Sequence, residues 1–251
     1  MSGVGAFRQY EVPELLGTYV RRIWSYVDDC PSAIERIVPD GCPELVIDLA
    51  GHALEIRADG TASTQPPVLM AGQLTRPMIL RVEGPVHVVG VSFHPDGARD
   101  FWGQAMHGLT DRRLDASHRL PKALVSLTDE AALVSALITE LSERAAGWTI
   151  DPVVRGQIEG RSPMATDPAS VRSLQRRFLD RVGVSARSLR TVQRFRAVFD
   201  HAEQDENWLQ AGLAAGYFDQ PHLARDFQRF VGCSATVWAR ERLALTRAVL
   251  S

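Results

Sequence analysis

One sixteen-residue pattern occurs twice in the last third of this chain, and no other feature restricts its fold as tightly. Residues 170–185 and 219–234 align without a gap: Leu174 and Leu223 stand four before Phe178 and Phe227, which stand five before Gly183 and Gly232. Ser185 and Ser234 follow two residues after each glycine. Leu and Phe four apart share one helix face, and a glycine just past the last apolar residue supplies the left-handed turn on which helices end. Two copies 49 residues apart therefore predict two similar helical units.

The surrounding apolar spacing fills in those units. A helix is predicted over 170–182, with Val171, Leu174, Phe178 and Val182 on one face, Ser170 at its cap and Gly183 at its stop. A longer one covers 185–201 with Leu189, Val192, Phe195 and Val198 or Phe199; a third covers 208–215 up to Gly216; a fourth covers 219–231 with Leu223, Phe227 and Phe230. Short helix, glycine turn, longer helix is the outline of a helix-turn-helix. The first unit should be held by Leu174, Phe178, Leu189, Val192 and Phe195, the second by Trp208, Leu209, Tyr217, Leu223, Phe227 and Trp238.

The first 120 residues read differently. Short apolar or alternating runs at 45–49, 53–57, 78–82 and 87–93 are separated by Asp40-Gly41, Asp59-Gly60, Pro66-Pro67 and Gly84-Pro85, which predicts strands and turns. Residues 10–24 are predicted helical from Leu15, Leu16, Tyr19, Ile23 and Trp24, as are 97–106 and 129–146, the last with Leu133, Leu137 and Leu141 on one face. The expected class is α+β in two domains: a β-rich, cupin-like or barrel-like domain over 1–147, a linker near 147–152, and an all-α domain over 151–251.

Charge divides at the same boundary. Residues 1–150 carry 13 basic and 19 acidic side chains, net −6, while 151–251 carry 15 and 11, net +4. Between Arg161 and Phe199 nine arginines face only Asp167 and Asp180. Such a segment is a candidate surface for a polyanion, or a solvated helix face. Cys30, Cys42 and Cys233 are too few and too scattered for a disulfide framework or a zinc knuckle. No apolar run approaches the ~20 residues of a membrane span, and the opening residues lack a basic and apolar leader. A cytoplasmic setting without membrane contact is expected.

The C-terminal sequence Trp208-Leu-Gln-Ala-Gly-Leu-Ala-Ala-Gly216-Tyr217-Phe-Asp219-Gln220-Pro-His222-Leu223-Ala-Arg-Asp-Phe227, with Gly232-Cys-Ser234, closely resembles the signature of the AraC/XylS family of transcription regulators. The first unit matches through Ser170 to Phe178 and Gly183. The amino-terminal half resembles the sensor-like domain of one branch of these regulators through Tyr10-Glu-Val-Pro13-Glu-Leu15, Trp24 and Val38-Pro39-Asp40-Gly41-Cys42-Pro-Glu44-Leu45. The resemblance implies a DNA-binding domain of about seven helices whose recognition helices enter successive major grooves. It places base-reading positions at Arg172, Gln175 and Arg176 in the first unit and at Pro221, His222 and Arg225 in the second. Ser170, Arg187, Arg190 and Arg194 are the candidate phosphate contacts. The implied partner is double-stranded DNA, with a small-molecule effector, a second copy of the chain and RNA polymerase as further candidates, and no cofactor or metal.

Helical spacing agrees with the first set, because Arg172, Gln175 and Arg176 lie off the Leu174, Phe178, Val182 stripe. Arg pairs bidentately with guanine and Gln with adenine, at about 1–3 kcal/mol of discrimination each. Two positions depart from the family. Gly212 stands where Ala is usual, at a backbone cost of roughly 1 kcal/mol. The supporting helix expected just before Ser170 falls on Ser162-Pro-Met-Ala-Thr-Asp-Pro168-Ala, which has prolines near both ends and no long apolar stripe.

Two rival readings remain at this stage. One is a protein-interaction module with a degenerate DNA-binding domain, motivated by that proline-bounded stretch. The other is a small metal- or thiol-dependent enzyme built on Asp40, Glu44, Asp48, His87, His94 and Cys42. His87 and His94 are an odd number of residues apart and would point to opposite faces of one strand. No His-Glu-x-x-His, Gly-x-Ser-x-Gly or phosphate-binding glycine loop is present. Residues 39–42 read instead as a structural turn with Cys42 as a small buried filler. Trp24, Trp102 and Tyr19 are candidates to line an effector pocket or to fill the core.

Overall fold

The computed structural model describes residues 5–29, 31, 34–51, 53–57, 59–161, 168–202 and 207–241. Ten strands come first: β1 Ala6–Tyr10, β2 Val20–Asp28, β3 Ile34–Ile37, β4 Glu44–Asp48, β5 Ala53–Ile56, β6 Ala62–Thr64, β7 Val68–Ala71, β8 Met78–Val82, β9 Val86–Phe93 and, after a short helix α1 Arg99–Trp102, β10 Arg113–Asp115. Helices α2 Lys122–Val125, α3 Glu130–Ala145, α4 Pro152–Ile158, α5 Pro168–Val182, α6 Ala186–Ala202, α7 Trp208–Ala214, α8 Gln220–Phe230 and α9 Ala235–Glu241 follow among the described residues. The expected two-domain α+β architecture is present.

The strands form two antiparallel sheets, ordered β1-β2-β9-β4-β7-β10 and β3-β8-β5-β6. The six-stranded sheet is buried on both faces. Along β4, Leu45 and Ile47 enter a core with Val89, Val91, Phe93, Phe101, Leu133, Leu137 and Leu141, while Glu44, Val46 and Asp48 turn to the space between the sheets. Alternation makes this possible, since neighbouring residues of a strand point to opposite faces. It also explains the one element read wrongly in type. Residues 10–24 form the end of β1, turns closed by Leu16 N to Pro13 O and Val20 N to Leu16 O, and the start of β2. A strand covered on both faces buries consecutive residues and not every second one, so Ile23 and Trp24 stand side by side and fit a helical period by coincidence.

The segment read as a linker is held in place. Trp148 packs edge-on against Tyr19 and Phe101, and the Tyr19 hydroxyl donates to Trp148 O. Asp151 then caps α4 by accepting from Val153 N and Val154 N. Helix α5 starts at Pro168, so Ser170 sits in its first turn and not at its cap. Residues 162–167, where the interrupted supporting helix was expected, lie outside the described residues. Helix α4 packs against α5 instead, with Val154 and Ile158 meeting Phe178, Val182, Val184 and Leu189.

Helix α6 belongs to both units. Leu189 lies in the first core, whereas Val192 and Phe195, assigned to that core from sequence, lie in the second with Phe199, Leu223, Phe227, Phe230 and Trp238. A helix of 17 residues is long enough at ~1.5 Å per residue to run beneath two three-helix clusters. Leu209 is another departure: it is exposed, because Trp208, Ala211 and Gly212 form the inward face of α7. The rings of Phe199, Phe227 and Phe230 surround Phe195 at centroid distances of 5.1–5.5 Å. Removing such a side chain loses both transfer free energy and packing. Phe195→Ala should therefore lower stability by about 3–5 kcal/mol, read as a fall in the urea midpoint at unchanged slope.

Candidate nucleic-acid interface

The repeat seen in sequence is a repeat in space. Gly183 and Gly232 both adopt left-handed backbone, φ +94° and +80°, and end α5 and α8. Ser185 and Ser234 then accept from Ser188 N and Val237 N at the starts of α6 and α9. Asp219 caps α8 through His222 N at 2.7 Å, and Pro221 sits at a position whose amide would be unpaired in any helix.

On α5, Arg172, Gln175 and Arg176 are exposed, opposite the buried Phe178 and Val182. Helix α4 covers α5 only in part, and an apolar groove of about 350 Å³ along Val171, Leu174 and Leu179 runs beside Gln175. Arg187 and Arg190 are exposed on α6. The other arginines of this stretch are engaged within the protein. Arg177 forms a two-pronged pair with Asp151 at 2.6–2.7 Å, Arg181 donates to Thr149 O, and Arg196 is buried beside Asp200.

In the second unit, Pro221 and Arg225 are exposed, and Arg225 Nε donates to Pro221 O at 3.2 Å. His222 is half-buried, edge-on to Tyr217 and parallel to Phe218. Arg194 turns into this unit: its guanidinium lies 4.5 Å over the Tyr217 ring, and Nη2 is 3.3 Å from Asp226 Oδ2 and 3.2 Å from His222 Nε2. The Tyr217 hydroxyl donates to Asp226 at 2.8 Å; burial and that carboxylate hold it protonated far above the ordinary tyrosine range. Two exposed residues on the same surface escaped the sequence reading, Gln220 in the first turn of α8 and Phe218 just before it, whose side chain is 88% exposed. The signal for Phe218 was a large apolar residue off the helical stripe. Gly212 also gains a reason: a Cβ there would come within 2.7 Å of Leu223 Cδ2, so the glycine lets α8 seat closely on α7.

The β domain contributes a cavity of about 100 Å³ between its sheets, lined by Trp24, Val46, Leu69, Leu80, Val88 and Glu44 among others. Of the three aromatic candidates only Trp24 reaches it; Tyr19 and Trp102 fill the core. The Glu44 carboxyl accepts from Ser92 Oγ at 2.5 Å and lies 4.0 Å from Arg22. Burial, then the neighbouring Asp40, raises its pKa to about 7 against the opposing pull of Arg22. Cys42 is buried and its thiol is pushed up to about 12, mainly by burial, which leaves it unreactive. His87 pairs with Glu130 and His94 meets Gly17 O, and among the described residues no group of three or more His, Cys, Asp and Glu is placed to hold a metal. No helix among them is long and apolar enough to cross a membrane.

Residues 168–241 match a family model described as a helix-turn-helix domain, and residues 8–115 match one described as a domain of unknown function, DUF6597. No curated protein matches the chain. Among solved structures, ToxT from Vibrio cholerae O395 aligns over 88% of this chain and 97% of its own at 9% identity and a TM-score of 0.44. A second crystal form of Vibrio cholerae ToxT aligns over 93% and 97% at 9% identity and a TM-score of 0.46. The Cupin_2 domain of an XRE family regulator from Enterobacter cloacae aligns over 37% of this chain and 97% of its own at 20% identity and a TM-score of 0.28. Two helix-turn-helix units mounted on one shared helix, behind a β domain, define a double helix-turn-helix architecture. The stretch Trp208–Phe227 lies on α7 and α8, within the residues that match the helix-turn-helix family model.

Two outcomes check these assignments. Hydrogen bonds to charged groups contribute about 1.5–3 kcal/mol, reduced where solvent reaches them, so Arg194→Ala should destabilise the protein by about 1–2 kcal/mol in urea unfolding. For Glu44 the folded pKa lies above the ordinary 4.5, so the folded state holds the extra proton. Its contribution is complete below about pH 4.5 and lost as pH rises through about 7. The stability of wild type relative to Glu44→Gln should fall across that window and stay level on either side.

Proposed function

We propose that this protein regulates transcription by binding double-stranded promoter DNA in the cytoplasm, with α5 and α8 in successive major grooves. The exposed cluster of Arg172, Gln175 and Arg176 opposite the buried face of α5 carries this reading. Its arginines suit guanine edges and its glutamine an adenine edge. Arg187 and Arg190 meet backbone phosphates, and Ser170 in the first turn of α5 is a further phosphate contact. Arg194 braces the second unit from within.

On α8, Arg225 reads a base, while Pro221, His222 and Gln220 lie against the groove. Phe218 offers an apolar face of the kind that meets a thymine methyl. The first unit therefore supplies most of the discrimination and the second adds affinity and register. A run of 17 helical residues in α6 spans about 25 Å, and with a helix packed at each end it suits units one turn of duplex apart. A second copy of the chain on a paired half-site, and contact with RNA polymerase at the promoter, extend the same reading.

The β domain acts as the control element by taking a small effector into the cavity beside Glu44. Its means of reaching the DNA-binding domain is the turn that precedes β4. Gly41, at φ +84°, lies so near α6 that a Cβ would be 3.3 Å from Leu189 Cδ1, and Gln73 Nε2 holds Gly41 O at 2.8 Å.

Footprinting on the chain's own upstream DNA over a salt series tests the DNA reading. Arg176→Ala should lower discrimination at one base pair by about 1–3 kcal/mol with folding intact. Arg190→Ala should weaken all sequences about equally and reduce the salt slope by about one. Unchanged affinity and preference in Arg176→Ala would remove α5 as the reading surface.

A further inference from the structure

The polar groups around the β-domain cavity are not equally available to a ligand. Arg113 is the cation of its wall, and it is already engaged: Nε donates to Glu55 Oε2 at 2.8 Å, Nη1 to Asp111 O at 2.9 Å, and Nη2 meets Glu55 again. Asp48, two pleats from Glu44 on the same face, uses Oδ1 to accept from Ala50 N and Gly51 N at 3.1 and 3.0 Å. Glu83 lies in the wall near an exposed turn. Glu44 differs from these. Its contacts to Ser92 and Arg22 both run through Oε1, and Ser92 is itself held by Trp24 Nε1 and Arg22 Nε at 3.1 Å. The carboxyl is thus fixed in position beside the Trp24 ring. Gln65 gives its Nε2 to Met78 Sδ at 3.5 Å, and the rest of the lining is apolar, with Val46, Leu69, Leu80, Val82 and Val88.

We propose that the cavity binds a small apolar molecule bearing one hydrogen-bond-donating head, an amine or a hydroxyl, which engages the Glu44 carboxyl beside Trp24. This rests on the effector reading above and supplies its ligand chemistry. The volume of about 100 Å³ is about two-thirds of an apolar cavity of roughly 150 Å³ that accepts a benzene ring, which suits a skeleton of about four or five heavy atoms. Above about pH 7, where Glu44 is ionised, an anionic head is disfavoured, because it would meet that charge with the one nearby wall cation already neutralised by Glu55. A fully apolar molecule would leave a buried carboxyl without a new partner in exchange for the water it displaces. The amine has the further advantage of an aromatic face close to its positive charge.

Three probes with one carbon skeleton separate these cases: isobutylamine, isobutanol and isobutyrate, titrated into the full-length protein at a pH of about 8, above the Glu44 value of about 7, while the Trp24 indole N–H resonance is followed by NMR. The amine and the alcohol should each bind at least tenfold more tightly than isobutyrate. In Glu44→Gln the amine should lose most of its advantage over the alcohol, while the alcohol still binds. Filling the cavity with Val46→Phe should abolish the response to all three. Isobutyrate binding as tightly as the others would overturn the head-group assignment and leave the effector cavity standing. No response of wild type to any probe would overturn both. The wild-type ranking decides the head group even where Glu44→Gln fails to fold, since it needs no variant.

Discussion

Helix α6 is the member on which the rest of the molecule depends. Leu189 closes the core of the first unit, and one turn further on Val192, Phe195 and Phe199 enter the second. Because α5 and α8 each dock through a buried phenylalanine, Phe178 or Phe227, their angle and spacing are properties of this one rigid element. The β domain reaches the same helix: Val38 joins the second core and Gly41 lies against Leu189 and Val192. The turn at 38–42 therefore touches residues of both units, Leu189 of the first core and Val192 of the second.

Polar contacts reinforce that junction. Arg155 grips Asp96 with three hydrogen bonds of 2.8–3.0 Å, and the aspartate side chain is fully buried. Arg99 pairs with Asp180 on α5, and Thr110 donates to Gly183 O at 2.6 Å. Gly183 is doubly required, by its φ of +94° and by Met106 O, which a Cβ would approach to 3.0 Å. The first unit is fastened to the β domain through its helix-ending glycine, so the residue that stops α5 also positions it.

Arginines with one chemistry divide into two populations by their surroundings. Arg99, Arg113, Arg155, Arg177 and Arg194 have carboxylate partners within the fold, while Arg172, Arg176, Arg187, Arg190 and Arg225 are exposed. The same division governs the carboxylates of β4. Asp48 completes a turn, and Glu44 is buried between sheets with its proton affinity raised. Burial and partner, not residue type, decide which charges face outward for a ligand.

The amino-acid sequence by itself determined the units. Apolar residues at three-to-four spacing with a glycine stop are local signals, and they specified α5 through α8 to within one or two residues of their ends, along with β4, β5, β8 and β9. The exposure of Arg172, Gln175 and Arg176 followed from that periodicity alone. Tertiary structure decided the rest, because it depended on partners distant in the chain. Residues 20–24 read as helix until β1 and β9 paired with both edges of β2; Val192 and Phe195 changed cores because α6 serves two; and Arg194 turned inward to Asp226, 32 residues away. Local spacing tells which face of an element is apolar, but what covers that face, and which charge finds a counter-charge, is set only when the elements meet.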